Sequence, residues 1–401
     1  MTRLGFAMTP RAASSIEAGA AVDIDFITRR ALVGRSFVGL ASLPLSRSGT
    51  AYGFDGGILH GFASGTMRLG AEGLLVEPSA TNRVTARKHN PSDLTGLTLA
   101  GDVAATLALA DDPAALGAAG LGSLCSNGKV YRLDNSAGSA VATATFAGST
   151  GSTAGHALSL WWRGTGSAAL RLSGGSATAA ALPGAYQRRT LAATPASTGA
   201  ELVVEAAAGA VVSFILPQLE LGGFATSEIA GATTGTATRP VETMLLAAGS
   251  AGLVASAGAL FWRGRVIDSQ PTVFARIVEL GSADGQNRVG LVRGTDGKLQ
   301  IVGFSGGAGQ VASNIHSLAD PRGLDVTFGI TWGGGSARFR VGGDAVQTDA
   351  TVTSPASVAT LSLGTNAAGA NPGVAWHRRV VGFNHRLGAA EFDAVLARIA
   401  G

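Results

Sequence analysis

Gly303-Phe304-Ser305-Gly306-Gly307 matches G-x-S-x-G, the spacing that seats a hydrolase serine on a sharp turn between a strand and a helix. That chemistry needs a helix after the serine. "GAGQVASN" follows instead, so the stretch reads as a glycine-rich hairpin loop. Glu391 and Asp393 are spaced like part of a glycosidase carboxylate pair, which works on one strand face with the carboxyls about 5–5.5 Å apart. Here Val395 and Leu396 stand where the last acid is needed, and the run has helical periodicity. "GSLCSNGKV" misses a phosphate-binding loop at two positions, with Ser123 where the first glycine belongs and Val130 where Ser or Thr belongs. The histidines (60, 89, 156, 316, 377, 385) lack metal-ligand spacing, and HExxH is absent. One cysteine, Cys125, excludes an intrachain disulfide and a cysteine-rich metal site; it reads as a buried small hydrophobe or as one half of an interchain bridge. No catalytic residue, metal or cofactor is expected.

What remains is binding chemistry. On a strand, Trp161 and Trp162 face opposite sides, so one can enter a core while the other is exposed. An exposed indole beside Arg163 could stack on a sugar ring while the guanidinium binds hydroxyls or acidic groups; alternatively, loops or a subunit contact cover both rings. Gln218 and Glu220 share one face of "PQLELG", opposite Leu219 and Leu221, and either bind a ligand or solvate a sheet. Trp376, His377 and Arg378 form a third candidate group.

The elements that must position these residues are strands. Glycine (59 of 401 residues) and a charged fraction of 14% point to many turns and small side chains, and the length suits two or three domains. The formal charge of +4 comes from dispersed arginines and only three lysines (Lys88, Lys129, Lys298). No basic block or stripe exists, so nucleic acid is not the expected partner. Thr243–Trp262 is uncharged over a membrane-spanning length, but its glycines and serines divide it into strand-length pieces, so a strand–turn–strand is expected and no membrane insertion. The first residues lack a continuous apolar core before a cleavage site, so no signal peptide is expected.

Residues 1–85 carry one alternating piece, "AVDIDFI", in which Val22, Ile24 and Phe26 face inward and Asp23 and Asp25 outward. From 86 to 240, "HALSLWW", "AALRLS", "AELVVEA" and "AVVSFILPQLEL" arrive at β-sandwich spacing. Asp112-Pro113 signals a helix start and Asn127-Gly128 a tight turn. From 241 to 401 a second all-β pattern runs, with Asp296-Gly297 and Gly333-Gly334-Gly335 as hairpin turns. It closes on a helix whose Phe392, Val395, Leu396 and Ile399 fall on one face, expected at the sandwich edge.

Several segments together resemble modular structural proteins of tailed bacteriophages and of gene transfer agents, the phage-like particles of some bacteria. They are Asp23–Phe26, Arg47–Tyr52, Asp55–Leu59, Arg68, and Gly73–Pro78 with Thr81-Asn82, in the order of that group's N-terminal module. Gln218-Leu219-Glu220, Gly222, Ala225-Thr226-Ser227, Ile229 and Thr238-Arg239 resemble the late signature of the jelly-roll, carbohydrate-binding-module-like domain that follows. "VTFGITWGGGSARFRVGG" and "SLGTN…WHRRVVGFNHRLGAAEF" are similar to concanavalin/laminin-G-like sandwiches. The resemblance implies an all-β chain: an irregular virion-attachment segment (1–85), a jelly roll (86–240), then a concanavalin-like sandwich (241–401) with a short C-terminal helix. It further implies a head or tail fibre or spike on the virion surface, made in the bacterial cytoplasm. Such a protein touches capsid or tail proteins through its first segment, forms a trimer or pentamer, and adsorbs without catalysis to bacterial surface polysaccharide. The alternatives are a structural decoration with degenerate lectin folds, or a glycan-degrading enzyme.

Overall fold

A computed structural model describes residues 16–230, 234–267, 274–311, the backbone of 314–315, and 320–401. The described residues are all-β apart from two α-helices and one 3-10 turn, and the chain divides into two compact units. One holds Ser46–Gly70 and Glu77–Glu242; the other holds Met1–Leu45, Ala71–Val76 and Thr243–Gly401. The division at Glu242/Thr243 lies close to the expected one at 240/241. Residues 1–85, read as an attachment module with too little core to stand alone, are shared between the two units. The segment has too few apolar residues for its own core, and its strands complete sheets built by distant sequence.

The unit containing Glu77–Glu242 is a sandwich of two five-stranded sheets. One orders Leu97–Gly101, Ala142–Ser149, Glu201–Ala206, Ser167–Leu172 and Ala180–Ala181; the other orders Thr106–Asp111, Lys129–Asp134, Val211–Leu221, His156–Thr165 and Gln187–Ala193. Period-2 alternation supplies the core between them, with Tyr131, Phe146 and Phe214 packed ring to ring at 5.7–5.8 Å. On the outer face of the second sheet, the hairpin Ala51–Asp55/Ile58–Phe62 and the helix Pro113–Ala118 cover a smaller core of Leu59, Leu116, Cys125 and Ile215. Pro113 opens that helix as expected, yet Asp112 makes no capping bond; its carboxylate is held by Arg163 at 2.7 and 2.8 Å and by Tyr186 at 2.9 Å. Cys125 is a buried free thiol whose pKa burial pushes up to about 12, so it behaves as a small hydrophobe.

The other unit also has two sheets. The first orders Ser36–Val38, Arg30–Val33, Val22–Asp25, Ala375–Phe383, Gly258–Val266, Asp325–Gly333, Ser336–Val341 and Gln347–Asp349, with Gly73–Val76 paired to the start of Ala375–Phe383. The second runs Ala308–Gly309, Leu299–Ser305, Arg288–Arg293, Ala275–Gly281, Thr360–Leu363 and Thr243–Ala247. The Thr243–Trp262 stretch is strand, turn and strand, and no helix among the described residues is long and apolar enough to cross a membrane. Asp23 and Asp25, expected on a wet face, are buried. Asp23 binds Arg379 of the neighbouring strand at 3.0 and 2.7 Å, so a charged partner replaces water. The helix Ala389–Ala400 buries the four expected apolar residues, but it lies on the face of central strands Gly258–Val266 and Asp325–Gly333, not at an edge. Gly329 opens the space: a Cβ there would sit 2.8 Å from Phe261 and 3.1 Å from Phe392.

Phe392 is fully buried, its ring centroid 5.3 Å from that of Phe261. Phe392→Ala is expected to cost about 3–5 kcal/mol through the lost contacts and the cavity left behind. Urea unfolding followed by tryptophan fluorescence checks this, since Trp262 and Trp332 report on that unit.

Candidate functional site

Some of the residues that carried the sequence resemblance converge in space. In the unit containing Glu77–Glu242, Arg68 binds Glu77 at 2.7 Å through Nη1 and Glu242 at 2.9 Å through Nε, and a second Arg68 nitrogen also binds Glu242. Arg47 donates to Glu242, Arg239 approaches Glu77 at 3.1 Å, and Glu77 accepts from the Ser227 amide (2.9 Å) and hydroxyl (2.6 Å). Arg239 reaches Thr226, Ser227 and the carbonyl of Pro78. Asn82 accepts from Leu219 N–H at 3.1 Å and donates to Pro217 O at 2.9 Å. Burial works against charging Glu77, but Arg239, Arg68 and the Ser227 donors outweigh it and hold its carboxyl at about 2.

Gln218 and Glu220 belong to this network and are not open to a ligand. A bulge explains why. Ser159 pairs with Gln218 but Trp161 with Ile215, and Leu216 between them takes φ 55°. Val212 and Phe214 face the sandwich core before the bulge, and Leu219 faces it after. The one-residue slip in parity sends Gln218 and Glu220 to the opposite face. There Gln218 donates to Glu220 and to Ser227 O, and accepts from Ile229 N–H; Glu220 accepts from the amide and hydroxyl of Thr226. Burial raises the Glu220 carboxyl above its ordinary range.

The tryptophan pair is also taken up by structure. Trp162 lies in the sandwich core. Trp161 is half-buried on the outer face, its indole N–H bonded to Glu228 at 3.0 Å and its ring 5.5 Å from Phe54. Arg163 is the bidentate partner of Asp112 and lies over Tyr186. In the other unit, His377 is fully buried, accepts from Trp262 Nε1 at 2.9 Å, and is kept neutral by burial, which lowers its pKa to about 3. Trp376 keeps an accessible surface, but Arg378 beside it is engaged by Glu72 and Asp325, and Arg265 approaches the same two acids at 3.4 and 3.5 Å.

A concave site lies elsewhere, on the second sheet of the Thr243–Gly401 unit. A cavity of ≈ 210 Å³ is lined by Phe274, Arg276, Arg288, Gln300, Phe304 and Val311, among others. Strand pairing builds it: Arg288 lies opposite Phe304, while Arg276 and Gln300 both lie opposite Val292. The Arg288 guanidinium rests on the Phe304 ring, 3.9 Å from its centroid. Phe274 is 46% exposed, unusual for a phenyl ring. The G-x-S-x-G stretch forms the adjoining hairpin turn, as expected, with Gly306 and Gly307 at φ 57° and 82° and the strand Ala308–Gly309 after it. Sequence reading missed this site because its residues are single letters on three strands. The one available signal was the placement of Arg288, Gln300 and Phe304 at outward strand positions. Among the described residues no cluster of His, Cys, Asp and Glu is arranged to hold a metal ion.

No protein-family model matches the chain, and no curated protein matches it. Among solved structures it is similar to the CBM40 domain of the Ruminococcus gnavus IT-sialidase bound to α2,3-sialyllactose, at 14% identity over 37% of this chain and 86% of that one (TM-score 0.31). It is also similar to the NanB sialidase of Streptococcus pneumoniae (14%, 35% and 24%, TM-score 0.29) and to a heptameric SAP-like pentraxin of Limulus polyphemus (10%, 36% and 71%, TM-score 0.27).

Replacing Glu77 with Gln leaves Arg68 and Arg239 short of a buried counter-charge, and a loss of about 3–5 kcal/mol is expected from denaturant unfolding. The depressed Glu77 pKa also sets a pH window. Its stabilisation is complete above the unfolded carboxyl value of about 4.3 and is lost as pH falls toward about 2. Wild-type stability should therefore drop between those limits, with a shallower slope in Glu77→Gln.

Proposed function

We propose that the protein is a non-catalytic glycan-binding component of a phage or gene transfer agent particle, displayed at the virion surface and promoting adsorption to bacterial polysaccharide. The observation that carries the glycan reading is the cavity on the second sheet of the Thr243–Gly401 unit. An accessible phenyl ring, guanidiniums and a side-chain amide converge on a rigid sheet, the combination that stacks on a sugar face and bonds its hydroxyls. The virion reading rests on the sequence resemblance. It gains support from the way Arg47, Arg68, Glu77, Asn82, Gln218, Glu220, Thr226, Ser227 and Arg239 join one network, so the resemblance is to an interdependent set of residues and not to scattered letters.

A second reading applies to the other unit. Its expected ligand groups are occupied: Trp162 by the core, Gln218 and Glu220 by Thr226 and Ser227, Arg163 by Asp112. That sandwich is a scaffold with a degenerate lectin fold, and sugar binding belongs to its neighbour.

The full chain, multimerised on beads, is expected to bind encapsulated bacteria in a manner competed by the purified capsule, without releasing reducing ends. Phe274→Ala should weaken binding about tenfold, since an exposed ring contributes stacking and little to stability. Absence of binding at high valency to every encapsulated strain tried would sink the adsorption role; release of reducing ends would restore the enzyme alternative.

A further inference from the structure

The cavity is unevenly provided with charge. Arg276 is 7% exposed, its Nε is buried without a hydrogen-bond partner, and its guanidinium makes no hydrogen bond to a described residue. Its only ionic neighbour among the described residues is Glu279, whose Oε2 lies 3.4 Å from Arg276 Nε without making a hydrogen bond. The other carboxylate oxygen accepts from the Ala367 amide. Arg288 uses one terminal nitrogen on the Gly285 carbonyl, and its Nε is buried and unpartnered as well. The two guanidiniums are close enough for the charge of each to be felt, since Arg288 adds to burial in lowering the Arg276 pKa. Two cations thus face one buried carboxylate, which burial pushes toward its neutral form. A buried guanidinium short of acceptors is costly, and arginine's planar fork matches a carboxylate bidentately.

We infer that this cavity takes an acidic sugar, a pyranose unit bearing a carboxylate, with Arg276 and Arg288 binding the carboxylate, Gln300 a hydroxyl, and Phe274 stacking on the ring. The inference rests on the glycan reading above and narrows it to anionic polysaccharide. The cavity is smaller than the ~300–1,000 Å³ usual for a drug-sized ligand, which fits one ring or a chain end. The neutral acceptors of a hexose alone would leave the second positive charge without a counter-charge.

The test pairs each of a panel of purified capsular polysaccharides with its carboxyl-reduced form, in which uronic acids become neutral sugars of the same ring geometry. Binding of the full chain is measured by calorimetry and by bead capture. Native acidic capsule is expected to bind at least tenfold more tightly than its reduced form. Arg288→Gln should weaken the native form far more than the reduced form, closing most of the gap between them, whereas Phe274→Ala should weaken both alike. Arg276→Gln is read the same way, with circular dichroism to confirm folding; Arg288 and Phe274, both more accessible, keep the test decisive if that variant fails to fold. Equal binding of native and reduced forms, or preference for neutral or sulfated dextran, overturns the acidic-sugar inference and leaves glycan binding intact. Failure to bind any polysaccharide overturns the glycan reading itself.

Discussion

Arg68 holds together the unit built on residues 77 to 242. It is buried between two buried carboxylates, Glu77 and Glu242, which are the first and last residues of that segment. The backbone repeats the closure: Glu242 N–H donates to Glu77 O at 3.0 Å, and Glu77 N–H donates to a Glu242 carboxylate oxygen at 3.1 Å. The segment is therefore a closed loop of chain whose ends are fixed by charge-assisted bonds. Arg47 and Arg68 bring the short Ser46–Gly70 segment to the same point. Buried ion pairs contribute little net stability when their desolvation is counted, but a missing partner is costly. The network consequently acts on specificity: a register or pairing that separated Arg68 from either glutamate would strand a charge in an apolar setting.

The same rule separates scaffold from site. Around Glu77 the donors and acceptors are largely matched within the protein, and the proline after it ends the Gly73–Val76 strand so that the carboxylate can turn into the network. Around Arg276 the donors outnumber the acceptors, and the imbalance opens onto a cavity. Both clusters are arginine with glutamate, and composition cannot tell them apart. What differs is that Arg68 and Arg239 each make several hydrogen bonds within the protein, whereas the Arg276 guanidinium makes none to a described residue. That difference assigns one unit a structural role in the proposed function and the other the contact with ligand.

Much of the fold was legible because its cause is local. Alternation fixes the strands, Asn127-Gly128 and Gly333-Gly334-Gly335 fix turns through the positive φ that glycine tolerates, and the i, i+3, i+4, i+7 spacing of Phe392 to Ile399 fixes the helix. The site was less legible because its causes are long-range. Alternation in "PQLELG" gives the facing of Gln218 and Glu220 opposite the core residue Leu219, but nothing local announces that Thr226, Ser227 and Ile229 occupy them. The partition of residues 1–85 follows from pairings such as Val22–Asp25 with Arg379–Gly382, more than 300 residues away in sequence. Alternation puts one of Trp161 and Trp162 in the core and the other outside, but it carries no mark of the Glu228 and Phe54 that cover Trp161 on the outer face. Glu77 is fixed in the same long-range way, by Arg68 and Arg239 from either side of the sequence.

On the proposed reading, the size of the cavity has a consequence for how adsorption works. A single uronate has roughly 12 non-hydrogen atoms, and at about 0.3 kcal/mol each the binding free energy is near −4 kcal/mol, a Kd of about 1 mM. One copy would therefore leave a polysaccharide quickly. Copies presented together on a particle convert later contacts into intramolecular ones and raise avidity by about 10²–10⁴. That gain requires each site to be held on a stiff support, because ordering a mobile site at every contact would offset it. Sheet strands that pair Arg288 with Phe304 and place Arg276 and Gln300 on either side of Val292 provide the stiffness. The weak, rigid and repeated site is thus the form that an adsorption protein of small cavity has to take.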